Sequence, residues 1–156
     1  MMHLRKAKVV DVEIVVQILN TSRLEYLPYA KSPHSLDGIR QWVGGHLIPS
    51  CGVVIAQLDG EDVGVLATSV SDGIGWIDQL YLAPGSVGQG VGVELLNHAL
   101  SFLPGPVRLW TFQENARAIR FYEHHGFKAI EYTNGENNEE KCPDILYEQS
   151  ISTPRS

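Results

Sequence analysis

Thiols are scarce in this sequence, basic residues are outnumbered, and no long apolar run goes uninterrupted. Two cysteines in 156 residues, Cys51 and Cys142, are too few for a disulfide framework and fit a reducing cytosol, where they read as small buried or surface side chains. Lys and Arg number 12 against 18 Asp and Glu, a net charge of −6. That balance argues against a dedicated nucleic-acid binder, which needs clustered cations along a phosphate backbone, and solubility is sufficient reason for the surplus acid. The apolar stretch KVVDVEIVVQIL is broken by Asp11 and Glu13, so it is neither a signal-peptide core nor a membrane span. A cytoplasmic location is the expectation, with no membrane and no nucleic-acid partner. Repeats, low-complexity tracts and long linkers are missing too. With 44% hydrophobic residues, residues 1–150 are expected to form a single domain with one core, followed by a short polar tail over 151–156.

What is present alternates strands with helices. His3 to Lys8 reads as a first strand. Asp11 is placed to cap a helix in which Val12, Val15, Val16, Leu19 and Leu24 recur at helical spacing. Pro28 and Pro33 interrupt the pattern, and Ser35 caps a second helix carrying Leu36, Ile39, Trp42 and Val43 on one side and weakened at its end by Gly44 and Gly45. Three apolar runs then follow, separated by Asp59-Gly60 and Asp72-Gly73, a strong hairpin signal and hence an antiparallel meander. A helix from about Gly88 to Leu103, a strand VRLWTF, and a helix NARAIRFYEHH stopped by Gly126 come next. Two strands, FKAIEYT and DILYEQS, close the chain across the polar loop NGENNEEK. The fold class is α+β, a mostly antiparallel sheet with helices on its faces.

Gly88, Gly90 and Gly92 remove three Cβ atoms where a helix begins, and the first N–H groups of any helix lack internal acceptors. Such a turn is an anion cradle: phosphate can approach the backbone and sit at the positive end of the helix dipole. A merely flexible turn is the alternative. A Walker loop fails because Val91 and Gly92 follow Gly90 where Lys and Ser or Thr are needed, and a dinucleotide fingerprint fails at Val93 and would need a parallel βαβ unit.

Here the chain resembles the GCN5-related N-acetyltransferase (GNAT) superfamily. VGQGVG, Val87 to Gly92, matches both glycines of that family's pyrophosphate motif, with Val87 standing where Gln or Arg is usual. The preceding IDQLYLAP looks like its splayed fourth strand. About 25 residues later, NARAIRFYEHHGF repeats the family's pattern at Asn115, Ala118, Phe121, Tyr122, Gly126 and Phe127. The resemblance implies a mixed, mostly antiparallel twisted sheet with strands four and five splayed. It also implies acetyl-CoA as cosubstrate, with no metal, and transfer of its acetyl group to a primary amine of a small molecule or peptide through a tetrahedral intermediate. The implied cosubstrate contacts are Leu80, Tyr81 and Leu82 on the strand, Val87, Gly88, Gln89, Gly90, Val91 and Gly92 at the turn, and Asn115. Two other functions stay open: a CoA-binding sensor or partner-binding module without turnover, and a ligand-free interaction domain. A homodimer is also left open.

Two residues are candidates for proton transfer. Tyr122 matches the family's tyrosine and reads as the acid that protonates the leaving thiolate, against a core tyrosine beside Phe121. Asp78 reads as base or water-positioner, against a structural or substrate-orienting acid, and strand alternation puts it with Trp76 and Leu80 on one side. Some members of the family it resembles carry a catalytic glutamate two residues earlier on this strand, where Trp76 stands here. Asn115 is both N-cap and candidate hydrogen-bond partner of the cosubstrate. Arg117 and Arg120 reach either CoA phosphates or solvent. His124-His125 at a helix end lacks zinc-ligand spacing. The resemblance also assigns EYLPYAKSPHS and NGENNEEK to covering the acceptor site, with Glu136, Glu139 and Glu140 either attracting a cationic amine or forming a solvated cluster.

Overall fold

The chain builds a seven-stranded sheet in the order β1-β2-β3-β4-β5-β7-β6. The computed structural model describes residues 1–50 and 52–150; Cys51 and the tail over 151–156 lie outside the described residues. β1 (Met2–Lys6) pairs antiparallel with β2 (Gly52–Leu58), which continues through β3 (Glu61–Ser71) to β4 (Ile74–Leu82). Both hairpins turn at Asp-Gly as expected. Asp59 and Asp72 have φ of 52°, and Gly60 and Gly73 have φ of 86° and 76°, the left-handed pair a two-residue turn requires. β5 (Val107–Phe112) pairs antiparallel with β7 (Asp144–Gln149), and β6 (Lys128–Tyr132) closes the edge.

Helices cover both faces. α1 (Val12–Tyr26) buries Val15, Val16, Ile18 and Leu19 against one face, each worth about 1.5–3 kcal/mol of burial. α2 (Leu36–Trp42) is capped by Ser35, whose Oγ accepts from the Gly38 N–H at 3.0 Å. α4 (Val91–Phe102) and α5 (Ala116–His124) pack on the opposite face around Leu95, Leu96, Leu109 and Tyr147. Asn115 caps α5, accepting from the Ala118 N–H at 3.2 Å, and Gly126 follows with φ of 88°.

Several local expectations are corrected. The first strand ends at Lys6, because residues 9–11 wind into a short 3-10 turn. Asp11 does not cap α1 with its side chain; its carboxylate accepts from Arg5 and from the Lys8 N–H, which hold it below the usual carboxylate range. Leu24 is 69% exposed, since the buried stripe continues through Ser22 instead. Leu36 and Trp42 are also exposed. Gly44 and Gly45 do not end the second helical segment; it widens into a π-type turn over Val43–Leu47 and runs into α3 (Ile48–Ser50), burying both Val43 and Leu47. α4 begins at Val91 rather than Gly88, because Gly88 and Gly90 take φ of 86° and 82°, outside the right-handed helix.

Candidate active site

β4 and β5 run parallel, but only Gly75–Val107 and Trp76–Arg108 are paired. Beyond Trp76 the strands part, and β4 keeps pairing with β3 as far as Leu82. The β5-facing backbone of β4 from Ile77 onward therefore has no ladder partner. An extended polar chain laid along it would gain strand-like hydrogen bonds.

Asp78 sits at the start of this gap. The register moves from Ala67–Gln79 directly to Thr68–Ile77, so Asp78 is the extra residue of a β-bulge, the device that re-aims side chains beside sites. This corrects the simple alternation: Leu80 turns with Ile77 toward the α4/α5 core, and Tyr81 packs on the α1 side. Asp78 is exposed on the wall of a cavity of about 660 Å³. Desolvation by the surrounding protein raises its pKa above the ordinary carboxylate value, partly offset by a hydrogen bond to Ser69.

A second cleft, of about 400 Å³, lies on the α4 side of the gap. Its walls include Leu80, Tyr81, Leu82, Val87, Gly88, Gly90, Gly92 and Asn115. Gln89 and Val91, expected at the same turn, do not line it. The Gln89 side chain donates back to the Gly85 carbonyl at 3.2 Å, and Val91 is 1% exposed in the core. Both can contribute only backbone here. At the head of α4 the amides of Val91, Gly92 and Val93 precede any intrahelical acceptor. A Cβ at Gly88 or Gly90 would meet no protein atom within 4 Å, and one at Gly92 would face Phe121 and Leu82, both cleft walls. The turn is thus an open, positively polarised cradle, and it fits a phosphate-bearing ligand.

Tyr122 joins the two cavities, lining both. It is 8% exposed, packed edge-on against Phe121 and Phe127, and its hydroxyl makes no hydrogen bond among the described residues. Burial, with Tyr81 nearby, pushes the phenol above its ordinary value, so it is protonated at neutral pH. Asn115 lines both cavities as well.

Sequence reasoning missed Ser22 and put Tyr26 and Leu27, within EYLPYAKSPHS, on the acceptor side; all three bring the end of α1 to the second cleft, and Leu27 lines both cavities. Of the two arginines singled out, Arg117 lines this cleft with its guanidinium 4.8 Å above the Tyr26 ring, and Arg120 does not. The two loops expected to cover the acceptor side do meet. Arg23 donates to the Tyr81 hydroxyl at 3.2 Å, to the Ala30 carbonyl at 2.9 Å, and to Glu140 at 2.9 Å, while His34 pairs with Glu139 at 2.9 Å. Glu140 is thus a largely covered ion-pair partner, whereas Glu139 reaches His34 from a side chain still 65% exposed and Glu136 stays on the exposed surface. NGENNEEK is ordered around buried Asp144, which accepts from Thr133 Oγ1 and, at 3.1 Å, from Asn138. Gly135 has φ of 81° and its absent Cβ would lie 2.3 Å from the Cys142 backbone, so only glycine closes that loop.

A mixed sheet parted between its fourth and fifth strands, with a glycine-lined helix N-terminus beside the gap, defines the acyl-CoA N-acyltransferase architecture. The acetyltransferase (GNAT) family profile matches residues 15–127, and the chain belongs to that family. An uncharacterized N-acetyltransferase of Archaeoglobus fulgidus is 34% identical over 82 residues, covering 46% of this chain and 56% of that protein. The PaiA N-acetyltransferase of Thermoplasma acidophilum, in complex with coenzyme A, superposes with TM-score 0.79 at 17% identity over 97% of this chain and 99% of that one. The ribosomal-protein-S18-alanine N-acetyltransferase of Escherichia coli gives TM-score 0.77 at 18% identity over 100% of this chain and 97% of that one. These structures share the fold. No helix among the described residues is long and apolar enough to cross a membrane.

Proposed function

We propose that the protein is an acetyl-CoA-dependent N-acetyltransferase acting on a primary amine by direct attack. The observation that carries this reading is the meeting, at one unpartnered Tyr122 hydroxyl, of a glycine-lined anion cradle and a separate carboxylate-lined cavity. When bound, acetyl-CoA supplies the activated acetyl group. The α4 amides and Arg117 hold phosphate charge, and the unpaired β4 backbone aligns the extended arm. Asp78 takes or relays the proton that the attacking nitrogen must lose as the C–N bond forms. Tyr122 gives a proton to the sulfur as the C–S bond breaks. A CoA-binding module without turnover would have no use for an unpartnered phenol at the junction. Thiol release from acetyl-CoA, measured over a panel of primary amines, tests the proposal: amine-dependent release supports it, and CoA binding without release favours the module.

Asp78 has a pH signature. Between its raised pKa and that of the amine, the acceptor arrives protonated and needs a base, so Asp78→Asn should lower kcat/KM most at the acid end of that window. The loss should shrink as rising pH supplies free amine. A pH-independent loss would make Asp78 a substrate-orienting acid.

Val87 lines the cradle with an apolar side chain. Val87→Gln or Val87→Arg is expected to tighten CoA binding by about 0.5–1.5 kcal/mol through one added hydrogen bond, as read by calorimetry. Unchanged or weaker binding in both variants would assign the valine a packing role.

A further inference from the structure

The acceptor-side cavity is one-signed. Among the described residues, its lining holds five carboxylates, Asp78, Glu131, Glu139, Glu140 and Asp144, and no Lys, Arg or His. Glu140 is paired with Arg23 and Glu139 with His34, while Asp144 is held by Thr133 and Asn138. Glu131 alone has no hydrogen bond or ion pair among the described residues. The sheet places it well. Leu146 is registered with Trp110 on one side and with Glu131 on the other, so Trp110, Leu146 and Glu131 form one row and share a face. Ile130, skipped in the β6–β7 register, is the bulge that keeps Glu131 on that face. Trp110 is 46% exposed, an uncovered indole on the cavity wall.

An exposed indole and a free carboxylate two strand spacings apart, roughly 10 Å between backbones, on one face of the sheet are what an alkylammonium group needs. The indole offers a cation–π face and an apolar surface for methylenes, and the carboxylate a counter-charge. The same cavity is lined by Tyr122, a side chain 8% exposed whose hydroxyl has no partner among the described residues, and this points independently to a ligand reacting at its other end. Asp78 on β4 and Glu131 on β6 are separated by the parted β4–β5 gap and two further strand spacings, more than about 14 Å in all. A single short amine cannot occupy both ends.

Resting on the acetyltransferase reading above, we propose that the acceptor is an elongated aliphatic amine with a second cationic group, seated between Trp110 and Glu131 while the first amine reacts near Asp78 and Tyr122. The seat sets specificity by charge at the far end of the molecule, and the acids of the cavity rim draw dications from solution.

The test compares α,ω-diaminooctane with n-octylamine, which differ only in the distal ammonium, by calorimetry on the CoA-saturated protein. Binding of the diamine about tenfold tighter than the monoamine, with that preference falling toward unity in Glu131→Gln and Trp110→Leu, supports the seat. Equal affinity for the two amines, no binding of the diamine, or a preference retained in both variants overturns it. The readout does not depend on turnover. A diamine that binds with the stated preference and is never acetylated leaves the seat standing and counts against the transfer reaction.

Discussion

Tyr122→Phe is expected to lower kcat by roughly ten- to a thousandfold while CoA affinity changes little. The substitution removes one oxygen and keeps the ring packed between Phe121 and Phe127. The lost hydroxyl makes no hydrogen bond among the described residues, so the fold should lose almost nothing with it. A structural tyrosine would behave in the opposite way, with melting temperature falling and kcat intact. Steady-state kinetics with a saturating acceptor, paired with CoA titration and a thermal melt, separates the two. Full kcat in a reaction limited by chemistry would remove Tyr122 from the proton inventory.

Gly90→Val is expected to reduce CoA affinity by at least about tenfold, through the backbone rather than through a clash. Gly90 is the N-cap of α4 at φ 82°, ψ 1°, and a Cβ there meets no protein atom within 4 Å. A left-handed conformation nevertheless costs a side-chain-bearing residue about 1–2 kcal/mol, and a β-branched one is a worse fit. Relaxing that strain re-aims the amides at the head of α4, each of which contributes about 1.5–3 kcal/mol when bonded to a charged group. α4 itself should persist, because Val91, Leu95, Leu96 and Ala99 anchor it in the core. A folded variant with undiminished affinity would move the phosphate site away from this turn.

The parts of this fold legible in sequence are those written in backbone chemistry. The Asp-Gly pairs and Gly126 declare positive-φ positions that few other residues accept, and the Asn115 side chain satisfies a helix-start N–H, so both hairpins and α5 fall where the sequence puts them. The cradle was legible for the same reason, although its positive-φ glycines precede the helix and do not belong to it. The bulge at Asp78 was not legible. GWIDQLYL mixes apolar residues on both faces, because β4 is covered by α1 on one side and by α4 on the other, and period-two counting cannot detect one added residue in such a strand. Contacts between distant segments were also silent. Arg23 and Glu140 are 117 residues apart, and nothing in NGENNEEK distinguishes a strapped carboxylate from a solvated one. Glu131 was passed over because a lone acid on an edge strand looks like ordinary surface; only the register with Leu146 and Trp110 gives it a neighbourhood.

If the α4 cradle and the carboxylate-lined cavity serve one reaction at Tyr122, both products of that reaction depend on its hydroxyl. The most direct test is mass spectrometry of amine-panel incubations with acetyl-CoA, quantifying N-acetylated amine and free CoA together in wild type and Tyr122→Phe. The two products are expected in equal amounts in wild type, and both suppressed in the variant. Free CoA accompanied by acetate, or bound acetyl-CoA with no acetylated amine across the panel, would contradict a single reaction at Tyr122.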